Sequence, residues 1–283
     1  MSAVNVTKAS GEKEPYDESK LRASLANAGA QKELINEISQ SITEILYEGI
    51  ATKKIYREAF RQLKSASQKS AGRYKLKEAI LELGPTGFPF EKFVAELLRQ
   101  MGYQTEVGVT VQGDCVTHEV DVLATKGNEY FMIECKFHNR KENTCNVKVP
   151  LYIQSRFLDL KKNLSSLPGH EYKKHIGWIV TNTRFTIDAV QYGECVGLKL
   201  LSWDYPLKNG LKDLITRIGL HPVTSLSSIN KKEKEMLLEM DVIFCTQLNE
   251  NPDHLSKIGM DNRKAGRVLK EVTAICNSNS NNP

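Results

Sequence analysis

Two acids and a lysine sit on adjacent apolar runs of the chain. In YFMIECKF, Glu134 and Lys136 are two residues apart. Alternate side chains of a strand share a face, so both point with Met132, while Ile133, Cys135 and Phe137 turn to a core. Charges on an apolar strand cost free energy unless compensated; a divalent cation and a phosphate would compensate both. The spacing alone says little. Glu18–Lys20, Asp159–Lys161 and Glu171–Lys173 repeat it in predicted helices or a polar connection, and Glu134–Lys136 by itself also reads as an edge-strand salt bridge. The preceding run, HEVDVLAT, adds the second acid. Here Asp121 shares a face with Glu119 and Leu123, and Val120 and Val122 face away. A Lys-Gly-Asn turn joins the runs, and hairpin pairing brings Asp121 beside Glu134. Facing carboxylates repel unless a cation lies between them, and Mg²⁺ (or Mn²⁺) suits carboxylate oxygens. Glu91, on the helix before these strands, could complete the acidic shell. Asp121 and Glu134, with the Cys135 carbonyl oxygen, would hold the ion. That ion would polarise a phosphodiester and acidify a bound water, and Lys136 would orient the water or stabilise the developing charge.

The elements that must position these groups follow from periodicity. FEKFVAELLRQM has the three-and-four apolar spacing of an amphipathic helix, ended by Gly102. YQTEVGVTV, THEVDVLAT and GNEYFMIECKF read as strands. VKVPLYIQSRFLDLKKNL reads as a helix starting after Pro150, HIGWIVTN as a buried strand, TIDAVQYGECVG as a helix and LKLLSW as a last strand. Mixed strands with flanking helices make an α/β layer fold. Before this segment, LGPTGFP breaks a helical stretch. That stretch contains LRASLANAG, ELINEISQSITEILYEG, TKKIYREAFRQLKSAS and YKLKEAILEL, with Gly29 and Gly49 at expected C-caps and Asp17 able to cap the first helix. It is preceded by a short strand at 4–8. The expected organisation is a first domain at 1–83, a second at 85–207, a helical third at 208–276 and a disordered tail at 277–283.

The runs GFPFEKFVAELLRQMGY, HEVDVLA and FMIECKF together resemble the Mrr-type branch of the restriction endonuclease-like PD-(D/E)xK superfamily. YIQSRF and the stretch Thr181 to Ala189 fit later elements of that family. The resemblance covers about 120 residues. It implies a mixed sheet flanked by helices, DNA cleavage, and catalytic or metal roles for Glu91, Asp121, Glu134 and Lys136, with Gln154 as an accessory. Many members carry Gly-Asp-x-Gly-x-Asp before the first acid, whereas this chain has an insertion between Gly113-Asp114 and Asp121. The role of Asp114 is thereby open. His118 reads either as a base near the site or as a satisfied structural histidine.

In VTKASGEKEPYDESKL, Lys8 and Lys20 could approach one polyphosphate from a turn and a helix start, with Glu14 and Asp17 accepting from ribose or base. A capped helix with solvated charges explains the same residues, and no Walker motif is present. The pattern resembles the ATP-cone, a mostly helical regulatory module that binds ATP or dATP. This resemblance covers about residues 1–80 and implies nucleotide contacts from Lys8, Glu14, Asp17 and Lys20, and from Thr52 and Tyr56 in GIATKKIYREAF. It makes the nucleotide an effector rather than a substrate and implies a homo-oligomer, dimeric or higher. Near the C-terminus, HLSKIGMDNRKAGRVLKEV is similar to half of a helix-hairpin-helix, for DNA contact or for dimer or lid packing. Its basic residues are Lys257, Arg263, Lys264, Arg267 and Lys270. Lys231, Lys232 and Lys234 read as a solvated face.

Composition sets outer limits. Of 283 residues, 40% are hydrophobic and 26% charged, as in ordinary globular proteins, and the net charge of +5 permits nucleic-acid binding without arguing for it. The six cysteines form no C-x-x-C pair and read as reduced thiols. The polar N-terminus and the lack of a long apolar run place the protein in the cytoplasm, with no membrane partner. The two resemblances together imply a nucleotide-regulated, Mg²⁺-dependent DNA endonuclease acting in restriction of foreign DNA. The rivals are a non-catalytic nucleotide-sensing DNA-binding regulator and a nuclease acting on RNA.

Overall fold

The computed structural model describes residues 4–8 and 11–276, so the expected tail lies outside the described residues. Element order is β1 (Asn5–Thr7), β2 (Lys13–Pro15), α1 (Glu18–Asn27), α2 (Lys32–Glu44), β3 (Ile50–Ala51), α3 (Thr52–Ala66), α4 (Gln68–Tyr74) and α5 (Leu76–Leu81). Next come α6 (Phe88–Gln100), β4 (Gln104–Gln112), β5 (Thr117–Lys126), β6 (Glu129–Lys136), β7 (Thr144–Cys145), α7 (Lys148–Leu164), β8 (Lys174–Thr181), β9 (Arg184–Phe185), α8 (Ile187–Cys195) and β10 (Lys199–Leu201). The chain ends with α9 (Leu211–Ile218), a 3₁₀ turn (Val223–Ser225), α10 (Lys231–Glu239), α11 (Cys245–Glu250), α12 (Asp253–Lys257) and α13 (Asn262–Cys276).

The central sheet has five strands in the order β10-β8-β6-β5-β4. β4, β5 and β6 pair antiparallel, and β8 and β10 add in parallel to β6. The carboxyl ends of β6, β8 and β10 therefore share one edge. One face of this mixed sheet buries Val122, Phe131, Ile133 and Trp178 under α6, through Phe90, Phe93 and Val94. The other packs Leu123, Met132 and Ile179 against Ile153, Phe157 and Leu160 of α7. Gly177 lets α7 approach: a Cβ there would lie 2.6 Å from Leu198 Cδ2 and 3.0 Å from Phe157 Cγ.

The core under α6 runs past the expected segment limits. Leu76 and Ile80 of α5 join it from one side, and Leu211, Leu214 and Ile215 of α9 from the other. A separate core gathers Leu237, Val242, Leu248, Leu255, Val268 and Val272 from the C-terminal helices. The N-terminal core uses Val6, Leu25, Ile38, Ile42, Ile50, Ala59 and Leu63 beneath a small sheet of order β2-β1-β3. Asp17 caps α1, accepting from Ser19 N–H at 2.9 Å, and Gly29 takes positive φ just past the end of α1; Gly49, expected at a C-cap, instead takes positive φ in the turn before β3, because α2 already ends at Glu44.

Three expectations change. YKLKEAILEL is not one helix, because the chain breaks at Lys75 between α4 and α5. α7 begins at Lys148 rather than after Pro150; a proline in the first turn lacks only an N–H that has no intrahelical partner anyway. Lys234 is not solvated: its side chain is 8% exposed and its Nζ lies 2.8 Å from Glu82 Oε2. No helix is long and apolar enough to cross a membrane among the described residues.

Candidate active site

Strands β5 and β6 stay in register from Lys126↔Glu129 to Val122↔Ile133. One step further, Asp121 stands opposite Glu134, and the regular ladder stops. The Cys135 N–H donates instead to Asp121 Oδ2 at 2.7 Å. On the neighbouring strand, β4 pairs Val107 with Val122 and Val109 with Val120 in one unbroken register, and between them Gly108 takes φ of +66°. The strict alternation expected for β5 fails at this point: Val120 packs with Leu123 and Met132 beneath α7, not with Val122 beneath α6. Asp121 sits where the strand changes face.

Glu134 and Lys136 project together, as alternation requires. Lys136 Nζ lies 2.5 Å from Glu134 Oε1, and Arg156 Nη1 lies 2.5 Å from Glu134 Oε2. Arg156 also donates to the Glu119 carbonyl. It comes from α7, two residues after Gln154, whose buried Oε1 has no hydrogen-bond partner. The end of β8 fixes the chain beyond Lys136. Thr181 Oγ1 donates to the Lys136 carbonyl at 2.7 Å, and the Asn182 side chain makes a two-way clamp with the His138 backbone at 2.8 and 2.6 Å.

Glu91 stands in the first turn of α6, within electrostatic range of Asp121 and Glu134. Its Oε1 lies near Gly87, close to Phe137, so that a Cβ on Gly87 would approach it to 3.3 Å. Burial, and then the charges of Asp121, Glu119 and Glu134, push the Glu91 carboxyl up to about 7 against the opposing pull of Lys136. Burial and the Glu134 charge likewise raise Asp121 to about 6, although the Cys135 N–H and the Lys136 and Arg156 charges oppose the shift. Raised carboxyl groups around a common point mark an excess of negative charge in a dry setting. Their oxygens are hard donors of the kind that Mg²⁺ or Mn²⁺ takes.

Residues upstream belong elsewhere. Asp114, Cys115 and Asp159 bring three metal-capable atoms within 4.8 Å of one another, but the Asp159 carboxylate is already engaged. It accepts from Cys115 N–H at 2.7 Å and Val116 N–H at 3.3 Å and meets His118 Nε2 at 2.7 Å. Asp114 pairs with Lys162 at 2.5 Å. This loop is stapled to α7, and His118 is a satisfied structural histidine.

A relative from Archaeoglobus fulgidus, described as an uncharacterized protein, is 38% identical over 183 residues, which is 64% of this chain and 99% of the relative. The chain belongs to the same family as this relative. A restriction endonuclease model of the Mrr catalytic type matches residues 84–204, and an AF1548-like C-terminal model matches 221–276. A crystal structure of the protein of unknown function AF1548 has a TM-score of 0.55 and 36% identity, covering 67% of this chain and 98% of that one. The five-strand mixed sheet agrees with a restriction endonuclease-like fold. In this AF1548-like chain, Asp121, Glu134, Lys136 and Glu91 therefore lie within a nuclease-type domain. Residues 1–83 fall outside both family models.

In that N-terminal segment, Glu14, Asp17, Lys20, Thr52 and Tyr56 line one cavity of about 180 Å³. Lys8 stands beside it rather than in its wall. Both lysines turn to Glu14, Lys8 Nζ at 2.8 Å and Lys20 Nζ at 3.6 Å. The Tyr16 hydroxyl, on a residue lining the same cavity, is buried without a partner.

Sequence reasoning missed Arg156. Its signal was available, because YIQSRF places a cation on the helix that covers the Glu134 face.

Proposed function

We propose that this chain is a metal-dependent DNA endonuclease governed by ATP or dATP in its N-terminal segment. The observation that carries the nuclease reading is that Asp121 accepts from the Cys135 N–H beside Glu134, which Lys136 holds, with the Asp121 and Glu91 carboxyl groups raised by burial and by neighbouring carboxylate charge. Asp121, Glu134 and the Cys135 carbonyl would hold Mg²⁺ or Mn²⁺. When bound, the ion supplies Lewis-acid polarisation of the phosphodiester and a more acidic water. Lys136 turns from Glu134 to the phosphate and offsets its developing charge. Glu91, poised near neutrality, exchanges a proton with solvent at the site. Gln154 uses its unpartnered amide oxygen to orient what enters between α7 and β6.

The nucleotide reading rests on the cavity shared by Glu14, Asp17, Lys20, Thr52 and Tyr56 and on the unpartnered Tyr16 hydroxyl. Regulation through a homo-oligomer and restriction of foreign DNA in the cytoplasm complete the proposal. The helix-hairpin-helix-like pair α12 and α13, with Gly259 at φ of +77° between them, is its candidate DNA contact. The domain limits proposed are 1–83, 85–207 and 208–276, with α5 and α9 packing across them onto the central core.

Plasmid and linear DNA incubated with Mg²⁺ or Mn²⁺, with and without ATP and dATP, test the proposal. Asp121→Ala, Glu134→Ala and Lys136→Ala are each expected to slow cleavage by about 10²-fold or more. Parent-like rates in all three would remove the site. DNA retained uncut by the parent would favour a nucleotide-sensing regulator, and cleavage confined to RNA would change the substrate.

A further inference from the structure

A second and larger concavity, of about 1150 Å³, opens between the N-terminal segment and the sheet domain. Its wall carries Lys20 of α1, Arg73 of α4, Lys77 of α5, Lys208 of the loop after β10, and Lys212 and Arg217 of α9. Asp213 is the one acid in that wall, and its carboxylate is used by the Gly210 N–H at 3.1 Å. Among the described residues, none of Arg73, Lys77, Lys208, Lys212 and Arg217 forms an ion pair. The Arg73 Nε is buried with no hydrogen-bond partner. Lys77 lies over the Trp203 ring, 5.5 Å from its centroid. Burial, and then the nearby Arg184, Lys141 and Lys212 charges, lower its affinity for a proton despite Asp204. Cations gathered from two parts of a chain without counter-charges repel one another, and a polyanion relieves that repulsion.

The cleft adjoins the small N-terminal cavity. Lys20, Ser24, Tyr56 and Tyr74 line both, and the Tyr56 and Tyr74 rings stack at 4.8 Å between centroids. A ligand seated in the smaller space would lie beside these rings, next to the cationic wall of the larger one. A separate duplex-binding groove would not explain why the charge collects where the nucleotide cavity ends.

We infer that the cleft takes the phosphate chain of a nucleoside triphosphate, with Lys212 and Arg217 of the sheet domain reaching phosphates of a nucleotide whose base and ribose rest on the N-terminal segment. The inference rests on the nucleotide reading above and deepens it. The effector then bridges the regulatory segment to α9, which packs on the nuclease core, and its charge draws the two together. ATP or dATP binds more tightly than AMP because only the longer phosphate chain reaches across.

Calorimetric titration of the full chain with ATP, dATP and AMP tests this, beside the Lys212→Ala/Arg217→Ala variant. Both replaced side chains are at least partly exposed, and an unchanged melting temperature without ligand verifies that the variant is folded. The variant is expected to bind the triphosphate at least about tenfold more weakly and AMP within twofold of the parent. Equal triphosphate affinity in parent and variant would overturn the bridge and leave the nucleotide reading intact. A parent that binds no nucleotide would remove both. Loss of affinity in the variant for a duplex DNA oligonucleotide, with triphosphate binding unchanged, would reassign the cleft to nucleic acid.

Discussion

At the scale of single residues, the site is set by one carboxylate accepting one backbone hydrogen bond. Asp121 takes the Cys135 N–H and thereby stands close to Glu134 in a partly buried setting. Burial and that neighbour hold its carboxyl at about 6, above the ordinary 3.8. A carboxyl raised in the folded state binds its proton more tightly there than in the unfolded chain. Its contribution to stability is therefore full below about pH 4 and lost as pH rises through about 6. In buffer free of divalent ions, Asp121→Asn is expected to stabilise the protein at pH 7.5 by about 1–3 kcal/mol after solvent screening, and to do little at pH 4. The amide keeps an oxygen for Cys135 and sheds the repelling charge. Thermal unfolding at the two pH values measures the difference; equal shifts at both would show that the charge is not the cause.

At the scale of elements, the hairpin of β5 and β6 was legible because apolar alternation and a Lys-Gly-Asn turn specify both strands and their register. The face change at Asp121 was not. It shows only in the packing of Val120 and Val122 into different layers, and a pattern read along one strand at a time cannot show it. The start of α7 was misplaced for a related reason, since a proline tolerated in a first turn resembles one that bars a helix. Arg156 was overlooked because its partner, Glu134, is 22 residues away in the chain and meets it only through packing. That packing hinges on Gly177. A methyl group there would collide with Leu198 and Phe157, so Gly177→Ala should lift α7 and cost about 1–3 kcal/mol. Chemical denaturation measures the loss. Because α7 carries Arg156 and Gln154, DNA cleavage per folded molecule should fall as well, whereas undiminished stability would show that the two layers have slack.

At the scale of the whole molecule, the C-terminal helices are tied back to the start of the nuclease core. Lys234 of α10 is buried and reaches Glu82, just past α5, and Thr224 donates to the Ala79 carbonyl at 2.7 Å. Removing one member of such a pair strands the other charge, whereas an apolar replacement of the buried member fills the space. Glu82→Ala is accordingly expected to cost more stability than Lys234→Met, by about 1–2 kcal/mol after allowing for the exposure of Glu82. Unfolding of the two variants compares them, and a larger loss in Lys234→Met would mean that the pair is net stabilising. The double hold of Lys136 and Arg156 on Glu134 reaches further still. With those ammonium and guanidinium groups at hand, Glu134 keeps its own counter-ions whether or not a metal is bound, so its hold on β6 and α7 does not depend on one. Chelation should then silence the molecule while leaving it folded, ready to resume work when the ion returns.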